Sequence, residues 1–344
     1  GCDKDGKATV NNEPNYAYPV RTTAAGQGEN AGPGYGMSAS LSRRDKYLAY
    51  LSGASLVQHE DWPRAYCQPA EGKTDEWVLS PHGEAMKEWY DFTQRYPERG
   101  ISYAPVALLM PFDQGLPQWG GAPWSHFQTE RPDMMLDAFL NTLAPHSQDV
   151  RKGLEGALTN SEFGDIYDLV TPNPPSGPMA LAKLMNYKVA IAVGGLTVDE
   201  PLAARLMEYV RQGGSLVINA RQIGSHLPAA FLGAQPTGRT APVEGRVVAV
   251  SGGGTRLTAP YDYEQVELSG AEPLWRDERG GVLACVNRFG AGRVVLTTVD
   301  YMLPRERVDA AKATPMPLVE LLMGQIVREV LPLEVRGDIE YGLS

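Results

Sequence analysis

The side chains with the clearest chemical potential stand in succession: His59, Glu60, Asp61 and Trp62. They follow residues 54–58, a short apolar run that predicts a buried strand. Parallel sheets and barrels present reactive side chains at the polar ends of such strands. We therefore take Glu60 as the candidate catalytic carboxylate and His59, Asp61 and Trp62 as candidate substrate-binding residues. A solvated loop acid or a salt-bridge partner is the alternative interpretation of Glu60.

Other candidate binding residues lie in two separate segments. Arg21 and Glu29 accompany the one extended segment before the first helix, and by position they line the same site, although their glycine-rich context favours a loop. Trp119 and Trp124 lie in a long loop rich in glycine and proline. They are candidate contacts to a substrate or to a neighbouring subunit, with packing inside their own loop as the alternative.

The sequence contains few of the motifs that predict a cofactor or metal site. The three cysteines are too few and too scattered for a disulfide framework or a zinc site, and they do not fix the cellular compartment. His126, His146 and His226 are isolated, without the spacing of a metal site. Residues 111–115, after the first strong strand of the middle stretch, match neither GxGxxG nor the Walker A pattern. We expect neither a cofactor nor a metal.

Length and charge limit the number of domains and the kinds of partner that we expect. The chain has 344 residues, enough for two or three domains. Its 31 Lys and Arg against 41 Asp and Glu give a net charge of −10, which disfavours nucleic acid because phosphate contacts need clustered basic residues. No apolar run approaches the roughly 18 residues of a membrane span, so we expect no membrane insertion. The sequence starts without Met and stops inside an alternating pattern, so we expect a piece of a longer protein.

Two helices are predicted in the first 100 residues. Ser42 supplies an N-cap for a helix that carries Tyr47 and Tyr50, and Ser80 followed by Pro81 supplies the cap and first position of the other.

Residues 101–235 alternate between strand and helix patterns. The continuous apolar runs 104–110, 189–193 and 215–220 predict strands buried on both faces of a parallel sheet. Residues 197–200 read as a capping box, which begins the helix between the last two strands. Val189 to Ala220 spans 32 residues, the size of one βαβ unit. We predict a flavodoxin-like, doubly wound layer.

The spacing of apolar residues changes in residues 236–344. Short strand patterns separated by glycine-rich turns predict a small antiparallel β unit; they lie at 246–250, 263–268, 281–287 and 293–298. A helix pattern follows over 315–330.

In this order, the segments resemble the family-42 β-galactosidases. Residues 53–60 and 79–84 resemble the last strand, last loop and start of the last helix of a (β/α)8 glycoside hydrolase barrel. Residues 103–107 resemble the entry to the flavodoxin-like trimerisation domain of that family, and residues 196–217 resemble a helix and strand of it. Residues 290–296 resemble a hairpin of the domains that follow.

The resemblance implies an α/β chain of three parts. Residues 1–100 hold the end of a (β/α)8 barrel, residues 101–235 a flavodoxin-like sheet, and residues 236–344 a small antiparallel β domain with one helix. The function implied is the C-terminal portion of a glycoside hydrolase acting on an oligo- or polysaccharide. The alternative is a scaffold, oligomerisation or carbohydrate-binding module without turnover. The trimerisation domain has the fold of class I glutamine amidotransferases, yet residues 193–196 offer no catalytic Cys at the comparable turn.

The resemblance also assigns roles and partners. Glycosidases need two carboxylates roughly 5–9.5 Å apart, and Glu60 either supplies one of them or binds sugar. Trp62 is a stacking platform for a pyranose or a packed loop residue. A complete barrel takes about 250 residues, so we expect the chain assayed alone to lack glycosidase turnover. We expect a carbohydrate substrate and a homo-oligomer, a trimer by resemblance, with Trp119 and Trp124 at the shared rim.

Overall fold

The structure is a computed structural model that describes most of the chain. The described residues are 66–98, 104–112, 130–143, 166–174, 179–306 and 316–330, together with Ala39, Arg43, Lys46, Tyr47, Tyr50 and Phe163. The chain divides into two compact units. The first comprises Gly1–Tyr103, Ala144–Ser161 and Glu340–Ser344, and the second comprises Ala104–Leu143 and Glu162–Ile339.

The first unit contains a short hairpin followed by a capped helix. Strands β1 (Cys67–Pro69) and β2 (Trp77–Leu79) pair antiparallel and precede helix α1 (Pro81–Arg95). The Ser80 hydroxyl oxygen accepts a hydrogen bond from the backbone N–H of Gly83 at 3.1 Å, which confirms the predicted cap. Tyr47 and Tyr50 are helical as predicted. The predicted strand at 54–58 lies outside the described residues.

The second unit is a mixed α/β structure. Its elements in chain order are β3 (Val106–Leu109), α2 (Arg131–Leu143), β4 (Tyr167–Val170), α3 (Leu181–Leu184), β5 (Val189–Ala192), α4 (Glu200–Arg211), β6 (Ser215–Asn219), α5 (Ala229–Leu232), β7 (Ala234–Pro242), β8 (Arg246–Ala249), β9 (Gly254–Arg256), β10 (Tyr261–Leu268), β11 (Glu272–Arg276), β12 (Val282–Phe289), β13 (Gly292–Thr297), β14 (Val299–Pro304) and α6 (Pro317–Val330). In the part of the chain that the structure describes, no helix has the length and hydropathy needed to cross a bilayer.

One half of the large sheet is parallel. Its spatial order is β4-β3-β5-β6-β13, and each neighbouring pair runs parallel. Every residue of β3, β4 and β5 is buried. The continuous apolar runs of β3 and β5 are typical of a sheet covered on both faces, whereas β4 also buries Asp168. The predicted parallel pairing of the runs at 104–110, 189–193 and 215–220 is confirmed.

The other half of the same sheet is antiparallel. It continues as β13-β12-β11-β8-β9, so β13 pairs antiparallel with β12 and parallel with β6. The sequence predicted residues 293–298 in a separate antiparallel unit, whereas in the structure they join the two halves. A second, three-stranded sheet has the order β14-β10-β7. The large sheet therefore crosses residue 235, where we expected a domain boundary.

Helix α4 is capped differently from the prediction. Asp199 is the N-cap, and its carboxylate accepts a hydrogen bond from the backbone N–H of Leu202 at 2.8 Å. The predicted capping box began at Thr197 and was wrong by two residues, because the nearer acid satisfies the free N–H groups of the first turn. The helix ends before Gly214, where a Cβ atom would lie 2.2 Å from the ring of Tyr209. Only glycine allows so close an approach.

Candidate functional site

The residues selected from the sequence all lie outside the described ranges. They are the candidate catalytic residue Glu60 and the candidate binding residues His59, Asp61, Trp62, Arg21, Glu29, Trp119 and Trp124. Their roles stay predictions.

The described residues contain a polar cluster at the carboxyl ends of two neighbouring parallel strands. Strand β6 ends at Asn219, which Arg221 and Gln222 closely follow, and β13 ends at Thr297, shortly before Asp300. Open α/β sheets bind ligands outside the carboxyl ends of their strands. This edge is therefore the expected position of a ligand-binding site in the second unit.

The buried part of the cluster ties strand ends together. The amide Nδ2 of Asn219 donates to Thr297 Oγ1 at 2.9 Å and to the carbonyl of Val299 at 2.7 Å. The side chain of Gln222 accepts from the backbone N–H of Asn219 at 2.9 Å and donates to the carbonyl of Gly194 at 2.7 Å. Asn219 is fully buried and Gln222 almost so. Buried amides with all of these bonds fix local geometry and leave little capacity for a ligand.

The outer part of the cluster is a set of ion pairs centred on Asp300. Arg131, at the start of α2, donates from Nε to Asp300 Oδ2 at 2.6 Å, and Arg221 donates from Nε to Oδ1 at 2.8 Å. Arg221 also lies 3.9 Å from Glu264. Burial acts to lower the pKa of the Arg221 guanidinium, but Asp300 and Glu264 outweigh it and the pKa is raised. Two cations and two anions thus neutralise one another.

The backbone after Asp300 is unusual. Tyr301 and Met302 have φ values of 51° and 59°, the left-handed region that non-glycine residues seldom occupy. Such residues persist where surrounding contacts hold them, and here Arg131 also donates to the carbonyls of Asp300 and Pro304 at 3.3 and 3.1 Å. The cluster therefore positions β14 as well as its carboxylate.

The shifted carboxyl groups of the described residues do not have the pKa of a general acid. A general acid of a glycosidase needs a raised carboxyl pKa. Where the pKa of a described carboxyl group clearly shifts, it falls: hydrogen bonds from Arg211 and Gln212 lower that of Glu208 to about 2, and a hydrogen bond from Arg305 lowers that of Asp262.

The described residues also offer little to a metal or a thiol mechanism. Among them, no group of three or more His, Cys, Asp and Glu side chains is arranged to hold a metal ion. Burial raises the pKa of the Cys285 thiol, inside β12, to about 11, so this thiol is a poor nucleophile at neutral pH.

Several solved structures are similar in fold to this chain. A β-galactosidase from Bacillus circulans sp. alkalophilus matches with a TM-score of 0.50 and 15% identity, over 92% of this chain and 49% of its own. A β-galactosidase from Rahnella sp. R3 matches with a TM-score of 0.48 and 14% identity, over 93% and 50%. The exo-β-1,4-mannosidase Op5Man5 from Opitutaceae bacterium strain TAV5 matches with a TM-score of 0.41 and 16% identity, over 74% and 38%.

These similarities concern the fold. The chain spans about half the length of the two β-galactosidases. No protein-family model and no curated protein sequence matches it. The resemblance to β-galactosidase-type enzymes is confirmed at the level of the fold.

Sequence reasoning missed the Asp300 cluster. The signal was present in part, because Asn219 and Thr297 stand at the ends of two apolar runs that were predicted as strands. What the sequence did not indicate is that these two runs pair with each other, which brings their polar ends together.

Proposed function

We propose that this chain is part of a β-galactosidase-type glycoside hydrolase that acts on an oligo- or polysaccharide. The observation that carries the proposal is the likeness in fold to the Bacillus β-galactosidase, with a TM-score of 0.50 over 92% of this chain. In this proposal the catalytic carboxylate belongs to the first 100 residues, and the second unit is an accessory domain.

The strand order supports a flavodoxin-like accessory domain. Numbered along the chain, the parallel strands β3, β4, β5, β6 and β13 lie side by side in the order 2-1-3-4-5. This is the order of flavodoxin-like sheets. An accessory role agrees with the carboxyl edge of β6 and β13, where charged and amide groups bond to one another.

Glu60 is the proposed catalytic carboxylate. It would act as one of a pair, about 5–5.5 Å apart in a retaining enzyme and about 6.5–9.5 Å apart in an inverting one. His59, Asp61, Arg21 and Glu29 are proposed to bind sugar hydroxyls. Trp62 is proposed to stack on the apolar face of a pyranose.

The test is the Glu60→Gln variant of the full-length protein that carries this chain. With aryl β-galactosides and β-mannosides we expect kcat to fall by about 10²–10⁴-fold, the usual contribution of a positioned acid or base. The matched control is Glu71→Gln, which changes an exposed acid between β1 and β2. Equal kcat for Glu60→Gln and the wild type would refute the assignment.

We also propose that the full-length protein is a homo-oligomer with Trp119 and Trp124 at its interface. Phe112, just after β3, is 59% exposed where the chain enters the segment that carries both tryptophans. Exposed aromatic residues of this kind often anchor interfaces.

Light scattering tests this assembly. We expect an oligomeric wild type and a smaller particle for the Trp119→Ala, Trp124→Ala double variant. Trp77→Ala, which removes a tryptophan that is 50% exposed in β2, is the control and should leave the mass unchanged. A monomeric wild type would refute the proposal.

A further inference from the structure

A groove of about 600 Å³ lies along β7 and β10. Its walls include Gln235, Thr237 and Arg239 from β7 and Tyr263, Gln265 and Glu267 from β10. The intervening Pro236 and Val266 also line it, and the register of the strand pair shifts between Glu264 and Val266. Glu267 lies directly opposite Gln235 in the antiparallel pair, so the two sets form a single surface. The volume is within the range of small-molecule sites, about 300–1,000 Å³.

The groove offers polar groups that the rest of the described structure leaves available. Gln235, Arg239 and Glu267 are exposed, and among the described residues none forms a hydrogen bond or an ion pair with their side chains. The side-chain amide of Gln235 can donate and accept, and that of Gln265 keeps part of this capacity while it hydrogen-bonds Tyr263. One cation and one anion balance, so the surface matches a neutral ligand with many hydroxyl groups better than an anion or a cation.

One wall of the groove is rigid. A Cβ atom at Gly281 would lie 2.3 Å from the hydroxyl oxygen of Tyr263, so glycine is required there. The Asp277 carboxylate accepts hydrogen bonds from the backbone N–H groups of Gly281, Arg279 and Glu244 at 2.7, 3.1 and 3.1 Å. Burial, followed by the charge of Asp277, raises the pKa of Tyr263, which keeps its phenol protonated. A wall fixed in this way lowers the entropic cost of binding.

The edge of the groove disfavours a peptide as the ligand. Strand β7 is the edge of the three-stranded sheet β14-β10-β7, and an edge strand is where an extended peptide would add. Pro236 and Pro242 remove two backbone donors from β7, and Gly238 has a φ of 71°. These features interrupt the regular ladder that a peptide strand needs.

We propose that this groove is a binding site for a neutral oligosaccharide, additional to the candidate catalytic residues of the first unit. The choice of saccharide rests on the proposed function, while the neutral polyhydroxyl character of the ligand follows from the groove itself. Because an open site buries only part of its ligand, we expect weak binding, which suits a secondary site on a substrate with repeated sugar units.

Calorimetric titration of the chain tests the proposal. The probes are β-1,4-linked galactotriose, mannotriose and cellotriose, with trigalacturonate as an anionic comparison. We expect at least one neutral trisaccharide to bind, and Arg239→Ala and Gln265→Ala each to weaken that binding about tenfold, consistent with lost hydrogen bonds. The matched control, Arg256→Ala, removes an exposed arginine from β9 and should leave binding unchanged. All three substituted residues are exposed, and melting temperatures verify that each variant is folded.

Three results would overturn the proposal: no binding of any neutral trisaccharide, binding that Arg239→Ala and Gln265→Ala leave intact, or tighter binding of trigalacturonate than of the neutral probes. The Glu60→Gln assay separates this outcome from the proposed function. Loss of turnover in Glu60→Gln without groove binding would leave the hydrolase proposal standing and remove the groove. Groove binding, with the same turnover in Glu60→Gln as in the wild type, would leave the groove standing and remove the assignment of Glu60.

Discussion

Replacing Asp300 with Asn tests whether the ion pairs at the carboxyl edge of the sheet stabilise the second unit. Asp300 links three elements, because it lies in β14 and pairs with Arg131 of α2 and with Arg221 after β6. Its side chain is 19% exposed, against 32% and 40% for the two arginines. Asparagine keeps the size of the side chain and removes the charge.

The expected cost follows from partial burial. A hydrogen bond to a charged group contributes about 1.5–3 kcal/mol, and breaking a fully buried pair costs about 3–5 kcal/mol. Both arginines reach solvent, which screens the charges, while the Asn oxygen can still accept from one of them. We therefore expect Asp300→Asn to lower the free energy of unfolding by about 2 kcal/mol.

Urea unfolding followed by circular dichroism measures this change. Asp262→Asn is the matched control, because its carboxylate pairs at 2.6 Å with Arg305, whose side chain is 53% exposed. Exposed pairs contribute up to about 1 kcal/mol, so the control should cost less and respond more strongly to added salt. Equal costs in the two variants, or a cost below about 0.5 kcal/mol at Asp300, would mean that desolvation offsets the attraction to both arginines.

Two further predictions concern the second unit. Gly214→Ala should destabilise by about 1–3 kcal/mol, because its Cβ would meet the Tyr209 ring at 2.2 Å. Gly324→Ala in helix α6, where a Cβ meets nothing within 4 Å, should instead stabilise by about 0.4–1 kcal/mol, and thermal melts that rank the pair in the opposite order would contradict this. Arg305 holds the pKa of Asp262 in the folded protein below its value in the unfolded chain. The pair therefore stabilises the fold at pH values above the unfolded pKa, and this stabilisation is lost as the pH falls through the folded pKa. Arg305→Met should therefore lose less stability than the wild type below about pH 4, and identical acid profiles by urea unfolding would show that the pair does not contribute.

The parallel strands were predictable because their apolar character is local. Strands β3 and β5 are buried throughout, and a strand buried on both faces must be apolar at nearly every position. Helix α1 was predictable for a similar reason, since Ser80 and Pro81 mark its start in consecutive residues.

Strand β7 was not predicted, because its sequence carries the signals of a loop. Pro236, Gly238 and Pro242 all argue against a strand inside a sheet, and at an edge they are tolerated. An edge position depends on which strands pair, and this is a property of the whole fold.

The cluster around Asp300 could not be predicted, because its members lie far apart along the chain. Asp300 lies 169 residues from Arg131 and 79 from Arg221, so no spacing rule connects them. Their meeting depends on β13 pairing parallel with β6, whereas the short turn at residues 290–292 suggested only a hairpin with β12. Local turn chemistry predicts the neighbour along the chain and says nothing of the partner on the other side.

The charge pattern of the second unit indicates whether this unit would bind saccharide or transfer protons in the proposed hydrolase. Asp262 and Glu208 each pair with arginine, and these partners lower the pKa of both carboxyl groups. A glycosidase general acid needs the opposite environment, one that keeps its proton at neutral pH. A contribution of this unit to saccharide handling would thus come from the amides and guanidinium of the β7/β10 groove, through binding. Proton transfer would then fall to carboxylates elsewhere, which is the role proposed for Glu60.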